Sequence, residues 1–390
     1  MPKLRTLFIH AALAPCRVDL LNYLNRHVEL KALFLRANPA SQAFDQATLR
    51  DRLECDHDYL LGGFEIGGRL FRHNLLRAVS AFDPDVVVTP EYSPTTLSLA
   101  LIGKRLLHRP WGLTIMTADN RRIARNSGVA RKLARRIALS AADSVVAYTE
   151  EAKACLVARG VPADRVFIFA NRQDEARFAA NLDDALPLAE RMASDKDLHG
   201  KRVVLCVGRL VALKGIDRII EALARVRPDV PDAVLVVVGD GPQRRRLQQV
   251  ARREGVADRV RFEGQQQGRD LMAWYLLGHL LVLASESETY GAVVNEALMA
   301  GMPVLCSSAA GAAELIYDGY NGHVFDPYDV ATLADRMAEW LRSIPPLDGA
   351  ALLRREGLMP ETFEKAARSF VEAIECAAES SHRHAELSYR

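Results

Sequence analysis

Nowhere does the sequence hold an apolar run approaching the ~18 residues that a helix needs to span a bilayer. The stretch from Leu276 to Ala284 is broken by Gly278 and His279, so no membrane crossing is expected. The cysteines, Cys16, Cys55, Cys155, Cys206, Cys306 and Cys376, lie far apart and form no Cys-x-x-Cys pair. That spacing excludes a zinc ribbon or dithiol motif and suits a reducing, cytoplasmic compartment. Charge of one sign is also missing, since 51 Lys and Arg against 49 Asp and Glu leave a balance of +2. A polyanion binder coated in positive charge is thereby excluded, and nucleic acid is not an expected partner. Short repeats and low-complexity tracts are absent. Leu7 to Ala14, behind Lys3 and Arg5, loosely imitates a secretion signal, but His10 interrupts it and Pro15, Arg17 and Asp19 follow. A first buried strand is the better reading.

What is there is globular: 390 residues, 49% hydrophobic and 26% charged, are enough for two cores. Short β-branched runs alternate with helical patterns, the signature of parallel sheets with crossover helices. In the first half strands are expected at Thr6 to Ile9, Leu30 to Leu35, Val86 to Thr89, Gly112 to Met116, Ser144 to Ala147 and Val166 to Phe169. The second half repeats the scheme at Val203 to Val207, Ala233 to Val238, Val260 to Phe262, Leu280 to Leu283, Pro303 to Cys306 and His323 to Phe325. Between them Asp174 to Gly200 loses strand character and carries Asp183, Asp184, Asp195 and Asp197. The expected division is therefore a domain over 1–180, a linker over 181–200, a second domain over 201–360 and a C-terminal helix over 361–390.

Three strand-to-helix junctions of the second half carry the chemistry. Val203 to Val207 runs into Gly208-Arg209-Leu210-Val211-Ala212-Leu213-Lys214-Gly215, where two glycines admit a close backbone approach and two cations suit a diphosphate. Arg209 and Lys214 read equally well as solvated loop charges, and the spacing is not that of a Walker motif. Gly239-Asp240-Gly241-Pro242 closes the next strand and reads as a turn. After Leu280 to Leu283, Glu288 and Glu296 flank Gly291 at the start of a helix. Backbone amides of Tyr290, Gly291 and Ala292 can there receive phosphate or sugar oxygens, and the two carboxylates can accept hydroxyl hydrogens. A carboxylate merely complementing the helix dipole would explain Glu286 or Glu288 but not Glu296.

Taken in order, Gly208-Arg209 with Lys214-Gly215, Gly239-Asp240-Gly241-Pro242, Glu288 and Glu296 around Tyr290-Gly291, Gly301 before Pro303, Gly311-x-x-Glu314 and Asn321-Gly322 resemble the retaining glycosyltransferases of family four. The resemblance is strong over about 201–345 and weaker before it, where Asn171, Asp174 and Phe178 share in it. It implies the GT-B fold, two Rossmann-like doubly wound parallel-sheet α/β domains facing a cleft. It further implies a nucleotide-sugar donor held mainly by the second domain and a glycan or lipid-linked acceptor on the first. Arg209 and Lys214 would neutralise the diphosphate, Glu296 would hold the ribose, Glu288 would contact the sugar, and the base would lie near Gln265. Catalysis would fall to Glu288, Arg209 and Lys214, with no metal and no cofactor. The helix pattern around Phe363 to Ala377 is where such chains return to the first domain.

Two departures from that pattern concern the acceptor side. Ala11 to Arg17 replaces a glycine-rich loop, and Thr117-Ala118-Asp119-Asn120 stands where a histidine is usual. His10, Asp119 and Asn120 are the acceptor-side candidates, although a structural histidine and a helix cap account for them as well. Residues 101–150 hold ten basic and three acidic side chains. Arg121, Arg122 and Arg125 precede a helix pattern from Val129 to Ala142, whose wheel sets Val129, Leu133, Ile137, Ala130, Ala134 and Ala138 apart from Arg131, Lys132, Arg135 and Arg136. That basic face is either solvated or docked on anionic lipid at the inner face of a membrane. A nucleotide-sugar epimerase of the same fold and a noncatalytic nucleotide-binding protein are the alternatives to a transferase.

Overall fold

The computed structural model describes residues 2–38, 44–119, 127–170, 172–348 and 352–388, with side chains described through 381. It divides into two units, residues 1–173 with 363–390, and residues 174–362. No helix among the described residues is long and apolar enough to cross a membrane.

Unit 1 is built on a parallel sheet of β1 (Arg5–His10), β2 (Glu29–Phe34), β3 (Asp56–Tyr59), β6 (Val86–Pro90), β7 (Gly112–Thr117), β8 (Ser144–Ala147) and β9 (Val166–Ile168). The order is β3-β2-β1-β6-β7-β8-β9, and a hairpin of β4 (Gly63–Ile66) and β5 (Arg69–Arg72) stands apart. Runs such as Val86-Val87-Val88 are buried on both faces, as strands covered by helices must be. The helices Pro15–His27 and Phe363–Ser388 cover one face, burying Phe8, Leu20 and Leu24 with Phe370 and Ile374. Phe169 and Phe370 meet edge to face with centroids 5.8 Å apart. The late helix lies so close that a Cβ on Gly112 would collide with the Ala377 carbonyl, and the Ser144 hydroxyl donates to the Ala373 carbonyl at 2.7 Å.

Unit 2 is a six-stranded parallel sheet of β10 (Arg202–Val207), β11 (Ala233–Val238), β12 (Val260–Gly264), β13 (Leu280–Leu283), β14 (Val304–Ser307) and β15 (Gly322–Phe325), in the order β12-β11-β10-β13-β14-β15. That is the doubly wound order of a Rossmann fold. The helix Ile216–Val226 shows why its sequence is helical and buried: Ile216, Ile219, Ile220, Leu223 and Val226 recur at one-turn spacing and pack into the unit's core.

Three expectations require correction. Residues 181–200 are not a linker, because most of them belong to the helix Glu175–Asp195 of unit 2. Asp174 caps that helix, accepting from the Arg177 N–H at 3.0 Å, and Phe178, Leu182, Ala185, Ala189 and Ala193 form its buried stripe. The acidic residues read as linker occupy the outer side. Second, β3 was not anticipated, since Asp56-His57-Asp58-Tyr59 is polar; as an edge strand it is held by Lys31, whose ammonium meets Asp56 at 3.0 Å and Asp58 at 2.8 Å. Third, the helix Val129–Ala141 buries only part of its expected apolar half, together with one arginine of the basic half. Ala134, Arg135 and Ala138 are its buried residues, while Val129 and Leu133 point to solvent.

Candidate active site

The chain of unit 2 winds outward in both directions from the gap between β10 and β13, and open α/β sheets bind ligands at the carboxyl ends of such a pair. Both loops there are stitched into place by their own backbones. Gly208 leaves β10 with φ +152°, and after β11 a Cβ on Gly239 would collide with the Gly208 carbonyl, so these turns can close on each other only as glycines. Leu210 N–H donates to the Asp240 carbonyl at 2.9 Å, and Glu286 N–H donates to the Leu213 carbonyl at 2.8 Å. Arg218 braces the second loop, donating to the Ala284 carbonyl at 3.1 Å and pairing with Glu286 at 2.8 Å.

On this frame Lys214, ending the short turn Ala212–Lys214, forms an ion pair with Glu288. Both side chains are about one-fifth exposed at 21%. Arg209 is exposed and has no ion-pair partner among the described residues. The backbone of Glu288 is held by the loop after β14: its N–H donates to the Ala309 carbonyl at 3.1 Å, and its carbonyl accepts from Gly311 at 3.3 Å. Gly291, with φ +102°, opens the helix Ala292–Met299, and no side chain caps that helix. Tyr290 itself is buried, its hydroxyl donating to Asn295 Oδ1 at 3.0 Å, so only its backbone belongs to the site.

Glu296 lies further along the same helix and accepts from the Tyr275 hydroxyl. Burial, and then the Glu296 charge, push the Tyr275 phenol well above its ordinary range, so it stays a donor. Gln265 is exposed just beyond β12, whose last residue Gly264 accepts from Gly239 N–H at 2.7 Å. Beneath the β10 loop, burial raises the Cys206 thiol to about 12, which removes it as a nucleophile. Gly208, Arg209, Lys214, Gln265, Glu288, Gly291, Ala292 and Glu296 are thus all carried by strand-end loops or the helix that follows one. Tyr275 and Arg218 escaped sequence reasoning, because each acts through a partner tens of residues away.

The acceptor-side candidates of unit 1 fare differently. Asp119 is fully buried, and its carboxylate pairs with Arg135, which also donates to the Ser127 hydroxyl at 3.2 Å. It is a structural clamp and not a presented acceptor ligand. His10 Nδ1 lies 3.0 Å from the Ala12 carbonyl, and burial followed by the nearby Arg17 charge lowers its pKa to about 3. It is held neutral, and at the carboxyl end of β1 it is half-buried. Asn120, with Arg121, Arg122 and Arg125, lies outside the described residues. The strand end holds one residue that sequence reasoning did not single out: Glu91, at φ +52°, accepts from Ala118 N–H at 2.9 Å and from the Thr117 hydroxyl at 3.2 Å.

Two family descriptions match the chain, a "Glycosyl transferase 4-like domain" over residues 15–172 and "Glycosyl transferases group 1" over residues 190–347. A GDP-mannose-dependent alpha-(1-6)-phosphatidylinositol monomannoside mannosyltransferase of Mycolicibacterium smegmatis is 30% identical over 286 residues, which is 66% of this chain and 73% of that protein. The chain belongs to the group 1 glycosyl transferases. An alpha-D-kanosaminyltransferase of Streptomyces kanamyceticus is 31% identical over 212 residues, 54% of each chain. Among solved structures, Anabaena HepE in complex with UDP and glucose superposes with a TM-score of 0.67 at 19% identity, covering 99% of this chain and 100% of that one, which establishes the GT-B fold. This group 1 glycosyl transferase accordingly moves a glycosyl group, with the retention of configuration of its family.

Proposed function

We propose that unit 2 binds a nucleotide-sugar donor at the carboxyl ends of β10 and β13, and that the sugar passes to a glycan or lipid-linked acceptor without a metal or other cofactor. The observation that carries this reading is the partly exposed Lys214–Glu288 pair beside Arg209, which has no ion-pair partner among the described residues. A cation and a carboxylate held side by side match the two ends of the reacting bond. The diphosphate gathers charge as it leaves, and Lys214, Arg209 and the uncapped amides at Ala292 stabilise that charge. Glu288 accepts from sugar hydroxyls beside the anomeric carbon, and Glu296, oriented by Tyr275, accepts from the ribose. Front-face departure and attack then retain the configuration. The comparisons lend support, since a relative is named for GDP-mannose and phosphatidylinositol monomannoside and a protein of the same fold is seen with UDP and glucose. Calorimetric titration with nucleoside diphosphates tests the assignment. Arg209→Ala should weaken binding by about tenfold, as loss of a charge-assisted contact of roughly 1.5 kcal/mol requires, and unchanged affinity would remove Arg209 from the diphosphate site.

The same reading places the enzyme in the cytoplasm, peripherally on an anionic membrane. On the helix Val129–Ala141 the outward strip is Val129, 83% exposed, and Leu133, 58% exposed, with Lys132 and Arg136 between and beside them. Apolar side chains interleaved with cations suit the boundary of an anionic bilayer better than bulk water. Sedimentation with anionic vesicles at low salt, and its loss at high salt, is the expected outcome.

A further inference from the structure

Unit 1 holds a cavity of about 650 Å³ whose walls come from the helix Val129–Ala141 from Lys132 onward, the start of β8 and the turn Arg159–Arg165. Ser144 and Val145 of its wall begin β8, and Arg165 immediately precedes β9. Lys132, Arg136, Arg159 and Arg165 line it, and no Asp or Glu does. None of these four makes an ion pair among the described residues. Arg159 spends one guanidinium N–H on the Cys155 carbonyl at 2.6 Å, and Arg135, which also borders the cavity, has its guanidinium committed to Asp119. Aliphatic side chains, Leu139 and Val161 among them, form part of the remaining wall.

Lys132, Arg136 and Arg159 are exposed and Arg165 is half-buried, and four like charges around one opening repel until an anion sits among them. Three of the four are arginines, whose planar forks match phosphate oxygens two at a time. The volume lies within the usual range for small-ligand sites, about 300–1,000 Å³. We propose that this cavity binds a phosphate-bearing anion, at a site separate from the donor site of unit 2 and independent of its assignment. A lipid headgroup and a soluble phosphate ester share this chemistry.

The test titrates the full chain with inorganic pyrophosphate in an Arg209→Ala/Lys214→Ala background, so that the donor loop does not contribute. One saturable site is expected, weakening as salt rises. Changing Arg136, Arg159 and Arg165 together to Gln should weaken it about tenfold or more, and Arg136→Gln or Arg165→Gln alone by about threefold, so that a misfolded triple variant would not leave the question open. No saturable binding, or equal binding by parent and variants, overturns the site. Vesicles of phosphatidylglycerol and phosphatidylcholine that displace pyrophosphate, where phosphatidylcholine alone does not, assign the ligand to a headgroup. Undisturbed pyrophosphate binding in the same vesicles assigns it to a soluble ester.

Discussion

Each unit places one cation and one carboxylate at the carboxyl end of its sheet, yet the two pairs are built for opposite ends. Asp119 and Arg135 of unit 1 are buried, with side-chain exposures of 0% and 7%, while Lys214 and Glu288 of unit 2 keep 21% each. Two charges out of water must hold each other, because no other charge compensates either one there. A pair that still touches solvent can trade its partner for a ligand at small cost. Burial thus separates a strut from a pair open to a ligand where the residue types do not.

The contrast breaks most visibly at Asp119. Asp119→Ala leaves Arg135 buried and uncompensated, and should lower the stability of unit 1 by about 3–5 kcal/mol, read by chemical denaturation. A loss below ~1 kcal/mol would show that Arg135 finds another partner. Glu288→Gln should do the reverse: stability changes by less than ~1 kcal/mol while turnover falls roughly a hundredfold or more, measured with saturating donor. Near-normal turnover would take Glu288 out of the mechanism.

A smaller effect sharpens what the units share. His10 in unit 1 and His279 in unit 2 are each held neutral by burial, with pKa values of about 3 and about 4. His279 accepts the Val203 N–H on Nδ1 at 3.0 Å, a bond that only the unprotonated nitrogen can make. Unfolded, both histidines take up protons below about 6.5, so the unfolded chain binds more protons there and stability falls as pH drops from about 6.5 toward 4. The slope should be on the order of 1 kcal/mol per pH unit for each histidine, and His10→Gln should flatten it for unit 1 alone. A slope unchanged by that substitution would mean that His10 titrates normally.

Much of this was legible from residue order. Valine-rich runs such as Val86 to Val88 and Val234 to Val238 allow little but buried parallel strands, and glycines at 208, 239 and 291 mark junctions where backbone must pass close. The pairing of charges was not legible. The wheel of the helix Val129–Ala141 shows two faces but not which one the sheet will take. Asp119, sixteen residues upstream of Arg135, pulls that arginine inward and turns Val129 and Leu133 out. In the same way the Asp183 and Asp184 run reads as linker until the stripe from Phe178 to Ala193 finds a helix to lie on. A polar strand like Asp56 to Tyr59 is intelligible only once Lys31 is beside it. Each miss is a long-range partnership that overrode a local pattern.

The helix that begins at Phe363 completes the sheet of unit 1 although all of unit 2 precedes it in the chain. In order of synthesis, then, unit 2 emerges whole while unit 1 still waits for Phe370 and Ile374 to cover Phe8 and Phe169. The first half of the chain is the last to be finished. Until then only the helix Pro15–His27 covers that apolar face, and a ribosome that stalled after residue 362 would release a finished unit 2 tethered to a unit 1 with part of its core open.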